Sequence, residues 1–273
     1  MTLARLIILW SCACASLGAG AEPRVVSLDY CADQYVLKFV AREHIAALSP
    51  DATRQFSYMR AAAVGIPTVK PLAENVLLTR PNIVVRSYGG GPGISHFLKR
   101  FEVEVVQIGY ATSLEDIQQI VRDTSGALGH RAAGELLVTQ MTERLAAIRT
   151  RHRAGRRPDA LYMTPTGVTS GPDTLVGDLL RIAGLDNYQT QPGWQPLPLE
   201  RLIYESPVVT ALAFFDAQTN HASAWSAMAH PVAQRQLDLS RTVPLQGAWT
   251  SCGGWFVMEA IEALSESLAD LER

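Results

Sequence analysis

Short apolar runs alternate along this chain with longer stretches of helical period, and that alternation leaves few folds open. It is the pattern of parallel strands buried on both faces and joined by crossover helices, so the chain is assigned to the α/β class. The runs predict strands over Val25–Leu28, Ile45–Leu48, Ile83–Val85, Val103–Ile108, Leu161–Met163, Val208–Phe215 and Thr242–Leu245. Helices are expected near Asp33–Ala41, Ile94–Phe101, Thr174–Ala183 and Trp255–Leu271.

Midway, Ser113 followed by Glu115 and Asp116 reads as an N-cap with acids in the first turn, opening a helix that ends near Leu128-Gly129. A second helix follows at once. Ala133, Leu137, Met141, Leu145 and Ile148 keep a spacing of three to four, which gives about six turns at 3.6 residues each. The two halves on either side echo each other. Glu74 lies seven residues before Pro81 and the strand at Ile83; Glu200 lies seven residues before Pro207 and the strand at Val208. Proline disfavours helical geometry in the residue ahead of it, so each segment predicts a short helix, begun near the glutamate and stopped before the proline. Capping alone also places glutamates at such positions.

The N-terminus carries Arg5, an apolar run from Leu6 to Trp10 and small residues ending in Ala19-Gly20-Ala21, the layout of a cleaved secretory signal peptide over residues 1–21. The apolar run is short of the roughly 20 residues that span a bilayer. A lipoprotein anchored at Cys12 or Cys14 is the alternative. The segment holds one base and no acid, so without it the net charge moves from −2 to −3. A mildly acidic surface argues against nucleic-acid binding, and the arginines at 149, 151, 153, 156 and 157 read as a solvated helix end.

With Arg24-Val25-Val26-Ser27-Leu28 opening the mature protein, the two Glu-to-Pro segments, the midway helix, and Ser170-Gly171-Pro172-Asp173-Thr174-Leu175 leading into Leu179–Asn187, the whole mature chain resembles the cobalamin and ferric-siderophore group of ABC-importer substrate-binding proteins. These are class III proteins: two Rossmann-like lobes, each with a parallel central sheet, joined by one long backbone helix. The resemblance implies an N-terminal lobe over 22–128, a linking helix over 129–155 and a C-terminal lobe over 156–273. It also implies a metal chelate held in the inter-lobe cleft and delivered to a permease, with Glu74 and Glu200 as the docking pair. A periplasmic monomer without a cofactor of its own is expected.

In such a fold, ligand contacts come from loops at the strand ends that face the cleft. That points to Asp29, Tyr30 and Cys31 after the first strand, then Tyr58 with Arg60, Arg86 with Tyr88, and Thr166, Trp194 and Trp249. Aromatic rings suit a large ligand with flat apolar faces, and arginines suit anionic groups on a chelate. Tyr110, Trp225 and Trp255 are as readily core residues. The run Gly89–Gly93 lets backbone approach a ligand, but Ile94 stands where a dinucleotide fingerprint needs its last glycine.

Cys31 and Cys252 remain after cleavage, and in an oxidising compartment they are expected to form one disulfide. Two free thiols or two soft metal ligands are the rivals. His44, His96, His130, His152, His221 and His230 are scattered without metal-ligand spacing, which favours a chelated metal over a bare ion. No nucleophile elbow or Cys-His arrangement stands out, so the chain is read as a non-enzyme. The alternatives are a periplasmic metal-dependent hydrolase or chelatase using Asp29, Asp33 and a histidine, and a chelate chaperone without a permease.

Overall fold

The computed structural model describes residues 23–151, 157–214 and 226–271. The signal-peptide expectation, and those for Trp225, His152 and His221, fall outside the described residues. In chain order the strands are β1 (Val25–Ser27), β2 (Ile45–Ala47), β3 (Ile83–Arg86), β4 (Glu104–Gln107), β5 (Asp159–Met163), β6 (Val168–Ser170), β7 (Asp186–Asn187), β8 (Trp194–Pro196), β9 (Val209–Phe214) and β10 (Arg241–Gln246). The helices are α1 (Tyr30–Phe39), α2 (Arg60–Ala63), α3 (Ala73–Leu78), α4 (Ile94–Lys99), α5 (Leu114–Ala127), α6 (Arg131–Arg151), α7 (Leu175–Ile182), α8 (Leu199–Tyr204), α9 (Pro231–Leu239), α10 (Gly247–Thr250) and α11 (Val257–Leu271).

Two four-stranded parallel sheets result, ordered β2-β1-β3-β4 and β10-β9-β5-β7. Numbered within its own lobe, each sheet has its strands in the order second, first, third, fourth, so the halves share a topology. Strand side chains alternate between faces. Val25 and Val85 face one side of the first sheet, and Val26 and Val84 the other. In the second sheet Ala160, Tyr162, Val209 and Ala211 face one side, and Leu161, Met163 and Leu212 the other. Burial on both faces is why these strands read as unbroken apolar runs. The inner faces share one core that runs through both lobes, and each outer face has a smaller core of its own.

Ser113 caps α5 in a reciprocal box with Asp116. Gly129, at φ +79°, turns the chain into α6. α6 packs against α5 of the first lobe and against α7 and α11 of the second, burying Leu137, Val138, Met141, Leu145 and Ile148. The expected stripe began one residue early: Ala133 is exposed and Gly134 is buried, where any larger side chain would collide with Ser125 of α5. Arg144 ties α6 to α11 through both oxygens of Glu262, at 2.7 and 2.6 Å.

A second correction concerns α1. It begins at Tyr30 and not Asp33, because Asp29 caps it by accepting from the Ala32 amide at 2.9 Å. The Asp29–Asp33 stretch is therefore a helix start and not a loop.

Candidate functional site

The carboxyl ends of β1 and β3 adjoin at the point where the strand order of the first sheet reverses, the usual ligand crevice of an open α/β sheet. Asp29 organises that edge. One oxygen of its buried carboxylate caps α1, and the other accepts from the amides of Ser87 at 2.7 Å, Tyr88 at 3.1 Å and Gly89 at 2.9 Å. The loop after β3 is thereby clamped to the start of α1. Gly89 is required because a Cβ there would run into the Leu28 carbonyl. Tyr30 and Tyr88 face each other edge to face, with ring centroids 5.9 Å apart. Burial pushes the Tyr30 phenol above its usual range; the Asp29 and Asp51 carboxylates push the same way, and its hydrogen bond with Tyr88 opposes them. It is a neutral donor at physiological pH.

Opposite lies a wall from the second lobe: Thr174 and Leu175 at the start of α7, Trp194 on β8, and the segment Thr250–Gly253 at the end of α10. That segment is fastened to the first lobe. Cys252 is joined to Cys31 in a disulfide, the Ser251 hydroxyl donates to the Phe56 carbonyl at 2.8 Å, and the Tyr35 hydroxyl donates to the Gly253 carbonyl at 3.1 Å. Beyond it Trp255 is buried against Tyr35, Phe39 and Tyr58. The two walls enclose a cavity of about 270 Å³, at whose mouth Tyr110 is 80% exposed and Tyr88 55%.

Of the residues expected to contact ligand, Tyr30, Cys31, Tyr88 and Trp194 line this cavity. The other six lie outside that lining. Asp29 is consumed by four backbone amides. Tyr58 stacks on Phe256 with centroids 4.9 Å apart and directs its hydroxyl to Glu259. Arg60 lies exposed on α2, bonded to the Ser57 carbonyl. Arg86 turns back to the Ser95 hydroxyl and the Tyr88 carbonyl. Thr166 sits exposed on the turn after β5, where its hydroxyl bonds to Thr164, and Trp249 packs onto the shared core. Tyr110 was the main omission: as a lone ring after β4 it reads as core, yet it stands at the cavity mouth, while Trp255 is core.

Asp33, offered as a metal ligand in the hydrolase alternative, is fully buried and accepts from the amide and hydroxyl of Ser49 at 3.0 and 2.5 Å. Burial raises its carboxyl to about 6. Neither it nor Asp29 has an open position for a metal. Glu74 and Glu200 are exposed in the first turns of α3 and α8, as the Glu-to-Pro echo predicts.

Residues 25–213 match the family described as periplasmic binding protein. No curated protein matches the chain by sequence. Among solved structures the chain is similar to the periplasmic heme-binding protein RhuT from Roseiflexus sp. RS-1, at 20% identity and TM-score 0.72, covering 92% of this chain and 100% of that one. It is similar to the periplasmic heme-binding protein HutB of Vibrio cholerae at 15% identity and TM-score 0.73, covering 91% and 99%. The vitamin B12 binding protein BtuF of Vibrio cholerae aligns at 16% identity and TM-score 0.64, covering 92% and 98%. At these identities the likeness is one of fold. None of the described helices is long and apolar enough to cross a membrane. With the family matched over well more than half its length, and the two-lobed architecture in place, the chain belongs to the periplasmic binding proteins and is a binding protein, not an enzyme.

Proposed function

We propose that this protein is the substrate-binding component of an ABC importer, and that it captures a metal chelate built on a flat macrocycle, cobalamin or haem, between its lobes. One observation carries this reading: Tyr88, Tyr110 and Trp194 come from both lobes to the mouth of one cavity, each with more than half its surface open. Rigid rings on opposing walls suit a flat apolar face, and phenol oxygens are known ligands of haem iron. A cavity of about 270 Å³ lies just below the usual range for small-molecule pockets, so the edge of a macrocycle would extend past these rings into solvent.

A ferric siderophore is the less favoured cargo. Recognition of its anionic oxygens calls for cations in the cavity, and Arg60 and Arg86 are both engaged elsewhere. Export by cleavage after Ala21, a monomeric state, the absence of a resident cofactor, and docking of Glu74 and Glu200 onto the permease complete the proposal. The likeness to heme-binding and vitamin B12 binding structures supports it at the level of fold.

Absorbance and tryptophan-fluorescence titration of the mature chain against haem, cyanocobalamin and a panel of ferric siderophores tests the reading. Saturable binding of haem or cyanocobalamin is expected. No saturable change with either would overturn it.

A further inference from the structure

Two six-residue helices occupy equivalent places in the two lobes and present the same pair of side chains. α3 leads into β3, the third strand of the first sheet, and α8 leads into β9, the third strand of the second. In each, the second residue is an exposed glutamate, Glu74 or Glu200. In each, the sixth and last residue is a large apolar side chain held out in water: Leu78 is 81% exposed and Tyr204 87%. Residues four apart share one face of a helix, so on both lobes an acid and an apolar group stand one turn apart on the same surface. Among the described residues neither glutamate is in an ion pair.

Single exposed apolar residues are ordinary on soluble proteins and call for no explanation. Recurrence at the same offset, on topologically matched helices of two lobes whose sequences otherwise differ, does call for one. Packing within each lobe does not supply it, because both side chains point away from their cores. The pattern fits a partner that is itself two-fold, each half offering a cation beside an apolar surface.

We infer that Leu78 and Tyr204 form the apolar halves of a bipartite docking surface, each beside its glutamate, for a two-fold symmetric membrane permease. This rests on the importer reading above and adds to it a contact of different chemistry. An exposed ion pair steers encounter and orients the partner but contributes little affinity in water. An apolar side chain next to it excludes water when docked, which strengthens the pair and slows release; tyrosine is among the residues that most often carry interface energy. Because the two contacts act together, losing both costs more than losing either.

The test replaces the chromosomal copy in source cells with Leu78→Ser, Tyr204→Ser and the double variant, and follows uptake of haem and cyanocobalamin. The purified variants are titrated with the same two compounds. The expected result is a few-fold loss of uptake in each single variant and about a tenfold or larger loss in the double variant, with solution affinity unchanged. Tyr204→Phe should transport normally, and so should Leu136→Ser, which alters a similarly exposed leucine on α6. Wild-type uptake by the double variant would overturn the proposal while leaving the cargo assignment intact. Failure of the wild-type protein to bind either compound would instead remove the importer reading, and this surface with it.

Discussion

The two lobes repeat one strand order but hold their cavity walls by different means. In the first lobe a single buried carboxylate, Asp29, gathers four backbone amides and fixes Tyr30 and Tyr88 relative to each other. That clamp lies wholly within the lobe, although the Tyr30 hydroxyl also donates across to the Ser251 carbonyl at 3.4 Å. In the second lobe the wall at Thr250–Gly253 is fastened to its neighbour by a disulfide and by hydrogen bonds to Phe56 and Tyr35. The first wall is organised from within and the second is borrowed, so one half of the site should survive damage that loosens the other.

Removing the disulfide tests the borrowed wall and should have the largest effect. Cys31 and Cys252 are 221 residues apart in sequence, and in the loop-entropy account a tie across so long a segment contributes about 5 kcal/mol. Cys31→Ala with Cys252→Ala should lose that much in urea unfolding and should weaken ligand binding as well. Unchanged affinity would mean that the second wall stands unaided. Asp29→Ala attacks the other wall. Stranding the amides of Ser87, Tyr88 and Gly89 and uncapping α1 should cost about 3 kcal/mol, with hydrogen exchange rising at those amides but not at Thr250–Gly253.

Asp33 gives the first lobe a dependence on pH. Its carboxyl is raised to about 6, so the folded protein holds a proton that the unfolded chain has released. Stability should therefore fall as pH rises from about 4 to about 6, by about 3 kcal/mol, and the penalty should persist above that window. Asp33→Asn keeps an acceptor for the Ser49 amide and should flatten the curve.

The parallel strands were readable in advance because burial on both faces leaves an uninterrupted apolar run; Ile83–Arg86 and Ile45–Ala47 differ from expectation by only a residue at their C-terminal ends. The antiparallel pair β6 and β8 escaped, since Thr169, Ser170 and Gln195 carry no apolar alternation. Within the site, Tyr30 and Tyr88 stand just past the ends of strands expected from the sequence, whereas Trp194 lies on β8, a strand that was not expected. Tyr58 and Trp249 were not legible, because contacts with residues distant in sequence decide where those rings go: Phe256 lies about two hundred positions from Tyr58. Asp29 carried a signal that could have been used, an aspartate three residues before the amide it caps.

The smallest effects are expected from the rings themselves. Trp194→Ala and Tyr110→Ala remove open surface at the cavity mouth, and each should weaken chelate binding about tenfold with little change in stability. Equal losses from the two would indicate that both lobes grip the ligand.

The most direct measurement is a crystal structure of the protein loaded with haem or cyanocobalamin, whichever titrates. The account predicts the macrocycle between the lobes, its faces against Tyr88 or Tyr110 on one side and Trp194 on the other. Density for the chelate outside that cavity, with those rings untouched, would contradict it.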